Sequence, residues 1–326
     1  MANITLLKIS IIIIFGIVLI ISIPIFIIST TIAPYGIIDE EIPFYYNPSN
    51  SSSMKDLNIN SDIGKVEIFY IYEPVDYSAK VEVRIEMIGL GLAEKAYYDY
   101  FSIVWENTSG YVNFSLKFKA GLDQGQLLSL IKNINIIVTL KTDVLCDINV
   151  IISIQGGVNI MVPWGISIGS ILANISRGHI QYNFYNCILK GNITGIIQDV
   201  GDIIIKSYDM EYIQNNRWSL STNRGDISIE INQNKATNAN ITGTALIVDG
   251  MLDLFYKDNS ANIGAYFYFP LLSYANTPPQ DGFNIIFQGE KTWLISADFP
   301  TIYNYNLTIY IMDPCTRCRN IKLHSD

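Results

Sequence analysis

The residues best suited to chemistry in this chain are four cysteines, two histidines and a few turn carboxylates. Cys315-Thr316-Arg317-Cys318 has the spacing of a redox pair, or of half a metal site that His324 would extend. A tetrahedral zinc site needs four ligands. There is no second CxxC, so Cys146, Cys187 or an acidic side chain would have to complete it. Disulfides suit the same residues if the domain faces an oxidising space, and four cysteines allow three connectivities. The preferred arrangement is a structural Cys146–Cys187 bridge linking the two subdomains, with Cys315 and Cys318 paired locally or left near the end of the last strand. In a reducing space all four are thiols. The expectation is therefore no metal and no cofactor.

Paired acids are the other chemistry to weigh, since stacked-strand proteins can host sugar-cleaving enzymes. Asp199, Asp202 and Asp226 are the best candidates. Each stands in or beside a turn, where aspartate is favoured because its carboxylate bonds nearby backbone, and that structural role outweighs a catalytic one. His179 fills the same turn slot that Asn192 and Asp202 fill elsewhere, and His324 is the other histidine, so no Ser/His/Asp set can be assembled. No glycine loop of phosphate-binding or dinucleotide type is present. No catalytic residue is assigned.

Whatever function remains must be carried by the elements that hold these residues. With 326 residues and 49% hydrophobic side chains the chain can bury one or two cores, and its Ile, Val, Tyr and Phe suit pleated surfaces. The formal charge of -9 provides no basic face for a phosphate backbone, so nucleic acid is not a partner. A composition heavy in Ile, Asn and Tyr is of the kind that AT-rich prokaryotic, above all archaeal, genomes encode.

From Ile9 to Ile28 the chain runs without a charge, long enough at 1.5 Å per residue to cross a hydrocarbon layer of about 30 Å. This predicts an uncleaved transmembrane helix within residues 1–38, since a signal-peptide core is shorter and the nearest small-residue site is followed by Pro34. Lys8 precedes the span, whereas Asp39, Glu40 and Glu41 follow it, which places the N-terminus in the cytoplasm and the rest outside. Asn50, Asn107, Asn113, Asn174, Asn192, Asn240 and Asn306 each open an Asn-x-Ser/Thr triplet, and all lie on the outer side. Residues 39–60, which include Asn-Pro-Ser-Asn-Ser-Ser-Ser, are expected to form a flexible stalk.

Period-two alternation over Val66 to Tyr72 and Val81 to Met87 predicts half-buried strands, joined as a hairpin through Pro74 and Asp76. The same pattern returns in Val112, Phe114, Leu116 and Phe118. Short helices are expected over Leu92–Tyr100 and over Leu122–Ile131, where Asp123 favours the first turn. Strands over Ile134–Val138 and Asp147–Ile154 close a β-sandwich-like subdomain, 61–155. Residues 156–312 form a second β-subdomain and 313–326 a tail carrying the CxxC.

In the second subdomain Gly178-His179-Ile180, Gly191-Asn192-Ile193, Gly201-Asp202-Ile203 and Gly225-Asp226-Ile227 repeat one start, with Gly64-Lys65-Val66 a looser copy. Glycine turns the corner, the polar residue bonds it and the isoleucine enters the core. The unequal spacing predicts an irregular β-roll or β-solenoid with no fixed period. Segments such as Ser219 to Ile229, with Thr222-Asn223-Arg224-Gly225-Asp226-Ile227-Ser228-Ile229, resemble the repeats of a prokaryotic β-strand-repeat family named for adhesins. That resemblance covers about 156–232 and implies an elongated, surface-exposed, membrane-tethered β domain without catalytic residues.

Tyr266, Phe267, Tyr268, Phe269, Tyr274, Tyr303 and Tyr305 make the C-terminal third aromatic, which suits either core or a carbohydrate- or protein-binding surface. The sequence thus predicts an all-β, membrane-tethered extracellular protein that binds a glycan or protein ligand in an adhesive, scaffold or envelope role. The alternative is an extracellular glycan-acting enzyme using the turn carboxylates.

Overall fold

The computed structural model describes residues 35–47, 54–90, 92, 95–108, 110–213, 215–258, 264–269, 283–288, 291–296 and 304–312. The expected span Ile9–Ile28 lies outside them, and among the described residues no helix is long and apolar enough to cross a membrane.

The chain is all-β, as its composition predicts. The N-terminal strands are β1 (Tyr35–Tyr46), β2 (Asp56–Ile71), β3 (Ala79–Leu90), β4 (Phe101–Thr108) and β5 (Tyr111–Phe118). A helix, α1 (Gln124–Leu130), leads into β6 (Ile131–Lys141) and the long β7 (Asp147–Val162). A winding series follows: β8 (Ser167–Ile168), β9 (Ile171–Arg177), β10 (Ile180–Tyr185), β11 (Ile188–Leu189), β12 (Ile193–Val200), β13 (Ile203–Tyr208), β14 (Glu211–Tyr212), β15 (Asn216–Arg224), β16 (Ile227–Gln233), β17 (Ala239–Asp249) and β18 (Leu252–Asp258). The last described strands are β19 (Gly264–Phe269), β20 (Phe283–Gln288), β21 (Lys291–Ser296) and β22 (Asn304–Met312).

The winding series is a parallel β-solenoid. Along one face the C-terminal half of β7 pairs with β10, then β13, β16 and β18, every pair parallel. Along a second face the N-terminal half of β7 pairs with β9, then β12, β15, β17 and β22. The short β8, β11 and β14 form a third face. On the first face partners lie 22 to 25 residues apart, as in Val158↔Ile180 and Ile227↔Leu252. Inward side chains therefore stack in columns, such as Val158, Ile180, Ile203, Ile227 and Leu252, all buried.

The irregular repeat resolves at the corners. Gly64, Gly156, Gly178, Gly201, Gly225 and Gly250 form one column, each against the glycine carbonyl of the coil before it from Gly156 onward. Gly191 belongs to a different corner, where it meets Ser170. Mixing two corners made the spacing look aperiodic. A Cβ on Gly201 would lie 1.5 Å from the Gly178 carbonyl oxygen, and its φ of +148° is one that side chains rarely adopt.

At the N-terminal end both faces continue as mixed sheet whose outer pairs are antiparallel. β6 pairs in parallel with β2 and antiparallel with β3, and β1 closes the edge on β3. On the other face β5 pairs in parallel with β2, and β4 closes that edge. Phe44 of β1 packs on Trp105 and Phe114 of β4 and β5, so the two sheets face each other as a sandwich. β7 runs unbroken through residue 155, the expected subdomain boundary, and shares both sheets.

Three expectations are corrected. The stretch 39–60 contains β1 and the start of β2 where a stalk was expected, because Ile38, Tyr46, Leu57 and Ile59 are buried. The β2–β3 hairpin does not form, since β6 lies between those strands and satisfies both edges. Among the described residues of the stretch 92–100, helical structure is limited to a 3-10 turn at Tyr97–Asp99. The α1 helix does form, and Asp123 accepts the Gly125 and Gln126 N–H groups as its cap.

The corner column makes a sharp prediction. Gly201→Ala combines a left-handed strain of about 1–2 kcal/mol with a backbone clash, for a total loss of roughly 3 kcal/mol or more. Gly121→Ala, at φ +85° with nothing within 4 Å, should show the strain alone. Urea melts of the two variants measure the difference.

Candidate functional site

The candidate carboxylates are bound into the coil-to-coil backbone. Asp202 Oδ1 accepts the Asp226 N–H at 2.8 Å, and Asp226 Oδ1 accepts the Met251 N–H at 2.8 Å. His179 Nδ1 accepts the Asp202 N–H at 3.4 Å one coil earlier. The second corner repeats the device: Asp147 holds Ser170 N–H at 2.6 Å, Ser170 Oγ holds Asn192 N–H at 3.3 Å, and Asn192 Oδ1 holds Arg217 N–H at 2.9 Å. These side chains orient successive turns and satisfy donors that a corner would otherwise leave open.

Asp199 differs, lying between Arg224 and Arg177, with the Arg177 Nε at 2.6 Å. Hydrogen bonds from Arg224 first and Arg177 second hold its carboxyl below the usual carboxylate range. An acid so held is a poor proton donor near neutral pH. Among the described residues no group of three His, Cys, Asp or Glu side chains is placed to hold a metal.

Cys146 and Cys187 are buried free thiols, not the expected bridge. Gly169 N–H bonds the Cys146 carbonyl, and Ile188 N–H bonds the Ile166 carbonyl, so Cys187 lies two coils above Cys146. Two strand spacings amount to roughly 9–10 Å, beyond the approximately 7 Å Cα separation that a disulfide spans. Burial pushes both thiols up to about 12. Cys315, Cys318 and His324 lie outside the described residues, as does Asn50. Of the other sequon asparagines, Asn107, Asn113, Asn192 and Asn240 are exposed and Asn174 and Asn306 half-buried.

A groove of about 580 Å³ runs beside the corner column between Gly64, Gly156, Gly157 and Gly178 and the α1–β6 junction. Its cations are already neutralised: Lys65 pairs with Glu67 at 2.5 Å and Lys132 with Glu86. It offers no unpaired charge to a ligand.

The feature that sequence reasoning missed is an aromatic edge. Register places Tyr72, just past β2, beside Trp164, just past β7, and the Tyr72 hydroxyl donates to the Trp164 carbonyl at 2.6 Å. One coil on, Tyr185 ends β10 and stacks on Tyr208 of β13 with centroids 5.1 Å apart and planes 5° from parallel. Tyr208 donates to Glu230 Oε1 at 2.6 Å, which, with burial second, pushes its phenol up to about 12. Trp164 is 67% exposed and Tyr72 60% exposed. These residues lie 92, 21 and 23 positions apart in the chain, so only the coil register reveals them. The aromatic residues that the sequence does flag are used differently: Tyr305 is buried, its hydroxyl 2.8 Å from that of Tyr212. Tyr266 and Tyr268 are half-buried, Phe267 and Phe269 lie on β19, and Tyr274 and Tyr303 lie outside the described residues.

No family model matches the chain, and no curated protein matches it. Among solved structures it is similar to a Clostridium sporogenes protein named for cell adhesion, at 12% identity and TM-score 0.32 over 88% of this chain and 100% of that one. It is similar also to a Parabacteroides merdae protein named as an adhesin, at 12% identity and TM-score 0.33 over 68% and 89%. A Parabacteroides distasonis protein named for lipid binding matches at 14% identity and TM-score 0.26 over 84% and 97%. Similarity at that level carries no argument about fold or ligand.

Two measurements follow from the site. Peptide mapping after alkylation at pH 8 should find Cys146 and Cys187 unmodified in the native protein and modified after denaturation. Asp199 has a depressed folded-state pKa, so its contribution to stability is present above its unfolded value of about 3.9 and lost as pH falls through the folded value. The stability deficit of Asp199→Asn should therefore be visible in melts at pH 7 and shrink towards zero below that window.

Proposed function

We propose that this chain is a membrane-tethered extracellular β-repeat protein that binds rather than catalyses, in an adhesive, scaffold or cell-envelope role. The observation that carries the binding reading is the aromatic edge formed by Tyr72, Trp164, Tyr185 and Tyr208. Tryptophan and tyrosine dominate binding hot spots because they combine a large apolar area with few rotors to immobilise. Trp164, two-thirds exposed in the turn just past β7, presents its ring to a ligand.

The tether is supported by the uncharged run Ile9–Ile28 and the charge step from Lys8 to Asp39, Glu40 and Glu41. The outer location is supported by the sequon set, of which no described asparagine is buried. The β-strand-repeat resemblance over 156–232, with its Gly-Asp-Ile corners, points to the same adhesive role. The ligand class is an extracellular glycan or protein. The rival reading, a glycan-cleaving enzyme, needs two convergent free carboxylates, yet Asp202 and Asp226 accept backbone N–H groups of the next coil.

Two experiments test this. Protease applied to intact cells should release the region after Asp39 and leave the N-terminal segment in the membrane; protection until permeabilisation would overturn the outer location. Full-length protein in nanodiscs, probed against glycan arrays and isolated cell envelope, should bind through the edge. Trp164→Ala and Tyr72→Ala should each weaken that binding roughly tenfold or more with an unchanged melting temperature. Binding unaffected by both would exclude this edge as the site.

A further inference from the structure

We infer that the apolar tip of the β1–β3 edge, formed by Ile37, Ile88 and Leu90, rests in the interface of the bilayer that anchors the chain. This inference depends on the tether proposed above. Between Ile28, the last residue of the expected span, and Tyr35, where β1 begins, lie six residues. Even fully extended, these reach only about 20 Å, while headgroups occupy roughly 5–8 Å beyond the hydrocarbon on each side. Because 39–46 is strand rather than stalk, no slack follows them. The start of β1 is therefore held close to the membrane surface.

The polarity of that edge suits the position. Register pairs Tyr35 with Leu90 and Ile37 with Ile88, so Ile37, Ile88 and Leu90 share the outward face at the end of β1 nearest the span. Ile37 is 64% exposed and Leu90 58% exposed, among the largest exposures of any apolar side chain described. Further along the same face the pairs turn charged: Asp39 opposite Glu86 and Glu41 opposite Arg84, with Glu86 also held by Lys132. One step of two residues is about 7 Å, comparable to the depth at which amphipathic surfaces sit in the headgroup boundary. An apolar tip followed by a charged shoulder is thus ordered along the direction leading away from the membrane. The acidic shoulder fits a zwitterionic surface better than an anionic one. Docking there would fix the orientation of the solenoid and turn its tether into a two-point support.

The test uses the full chain in phosphatidylcholine vesicles, in a background with Cys315 and Cys318 replaced by serine. An environment-sensitive dye is attached in turn through Ile37→Cys, Leu90→Cys and, as a reference, Ile213→Cys. Ile213 is also exposed and lies several strands along the solenoid. The dye at 37 and 90 should emit to the blue and lose most of its intensity to lipids carrying a quencher near the headgroup, while the dye at 213 should do neither. Hydroxyl-radical footprinting of the unsubstituted chain gives a second readout: Leu90 and Ile37 should be shielded in vesicles and oxidised after proteolytic release, with Ile213 oxidised equally in both. Position 37 as wet as position 213 in a chain that resists alkaline carbonate would overturn the docking and leave the tether standing. Extraction of the chain by carbonate would overturn the tether and the docking with it.

Discussion

The structure depends on one close contact, a glycine stacked on the carbonyl of the glycine in the coil before it. From Gly156 through Gly178, Gly201 and Gly225 to Gly250, the space where a Cβ would stand is occupied by that carbonyl oxygen. The contact sets how closely successive coils approach at this corner, and the coil N–H groups bond across it, as Gly178 N–H does to the Val200 carbonyl and Gly201 N–H to that of Arg224. Once the corners are in register, each buried column follows, because side chains alternate strictly along a strand. Isoleucine then stacks on isoleucine from Ile180 to Ile203 to Ile227 without further instruction.

Polar residues beside the glycines secure the same register from outside the core. Asp202 and Asp226 each accept a backbone N–H one coil on, and Asp147, Ser170 and Asn192 do so at the second corner. At the third, Asp209 takes the left-handed conformation itself, at φ 51°, and accepts from Asn234 and Lys235. Three corners thus use one mechanism with different residues. Two of the carboxylates with the look of an active site, Asp202 and Asp226, are committed in this way to main chain, and the third, Asp199, to Arg177 and Arg224. The same commitment separates the corner rows, which hold the fold, from the strand-end aromatic residues, which leave Trp164 and Tyr72 facing outward.

The sequence discloses what is local. Alternation over Val81–Met87 and Val112–Phe118, the Asp123 cap and the Gly-polar-Ile starts all depend on residues within one strand or turn, and each is found where periodicity places it. What it conceals is register between coils. The aromatic edge joins residues up to 92 positions apart, and the Cys146–Cys187 bridge looked reasonable only while the number of coils between them was unknown. The hairpin expected through Pro74 failed for a related reason: β2 has an edge that β6, arriving some 70 residues later, fills in parallel, and nothing near Pro74 signals it. Composition misled once, at 39–60, where the polar run Asn47 to Ser53 drew attention from the alternating Ile38, Ile42 and Phe44 before it.

The inserted strands explain how a solenoid can begin without exposing its core. A stack of coils ends in two open edges, and an open edge invites pairing with another chain. Here the first coil, β2, is followed by an insertion that returns β3 and β6 to one face and β4 and β5 to the other, closing both sheets with antiparallel strands. The outermost strand on one side, β1, carries Asp39, Glu40, Glu41 and Pro43, residues that oppose addition of a further strand by repulsion and by the missing donor. The protection is uneven along that strand, because Gly36, Ile37 and Ile38 offer neither charge nor proline. Among the described residues no strand pairs with the outer edge of that end. The docking proposed above would cover that end with the bilayer surface, and would account at once for the unprotected end of β1 and for the exposure of Ile37.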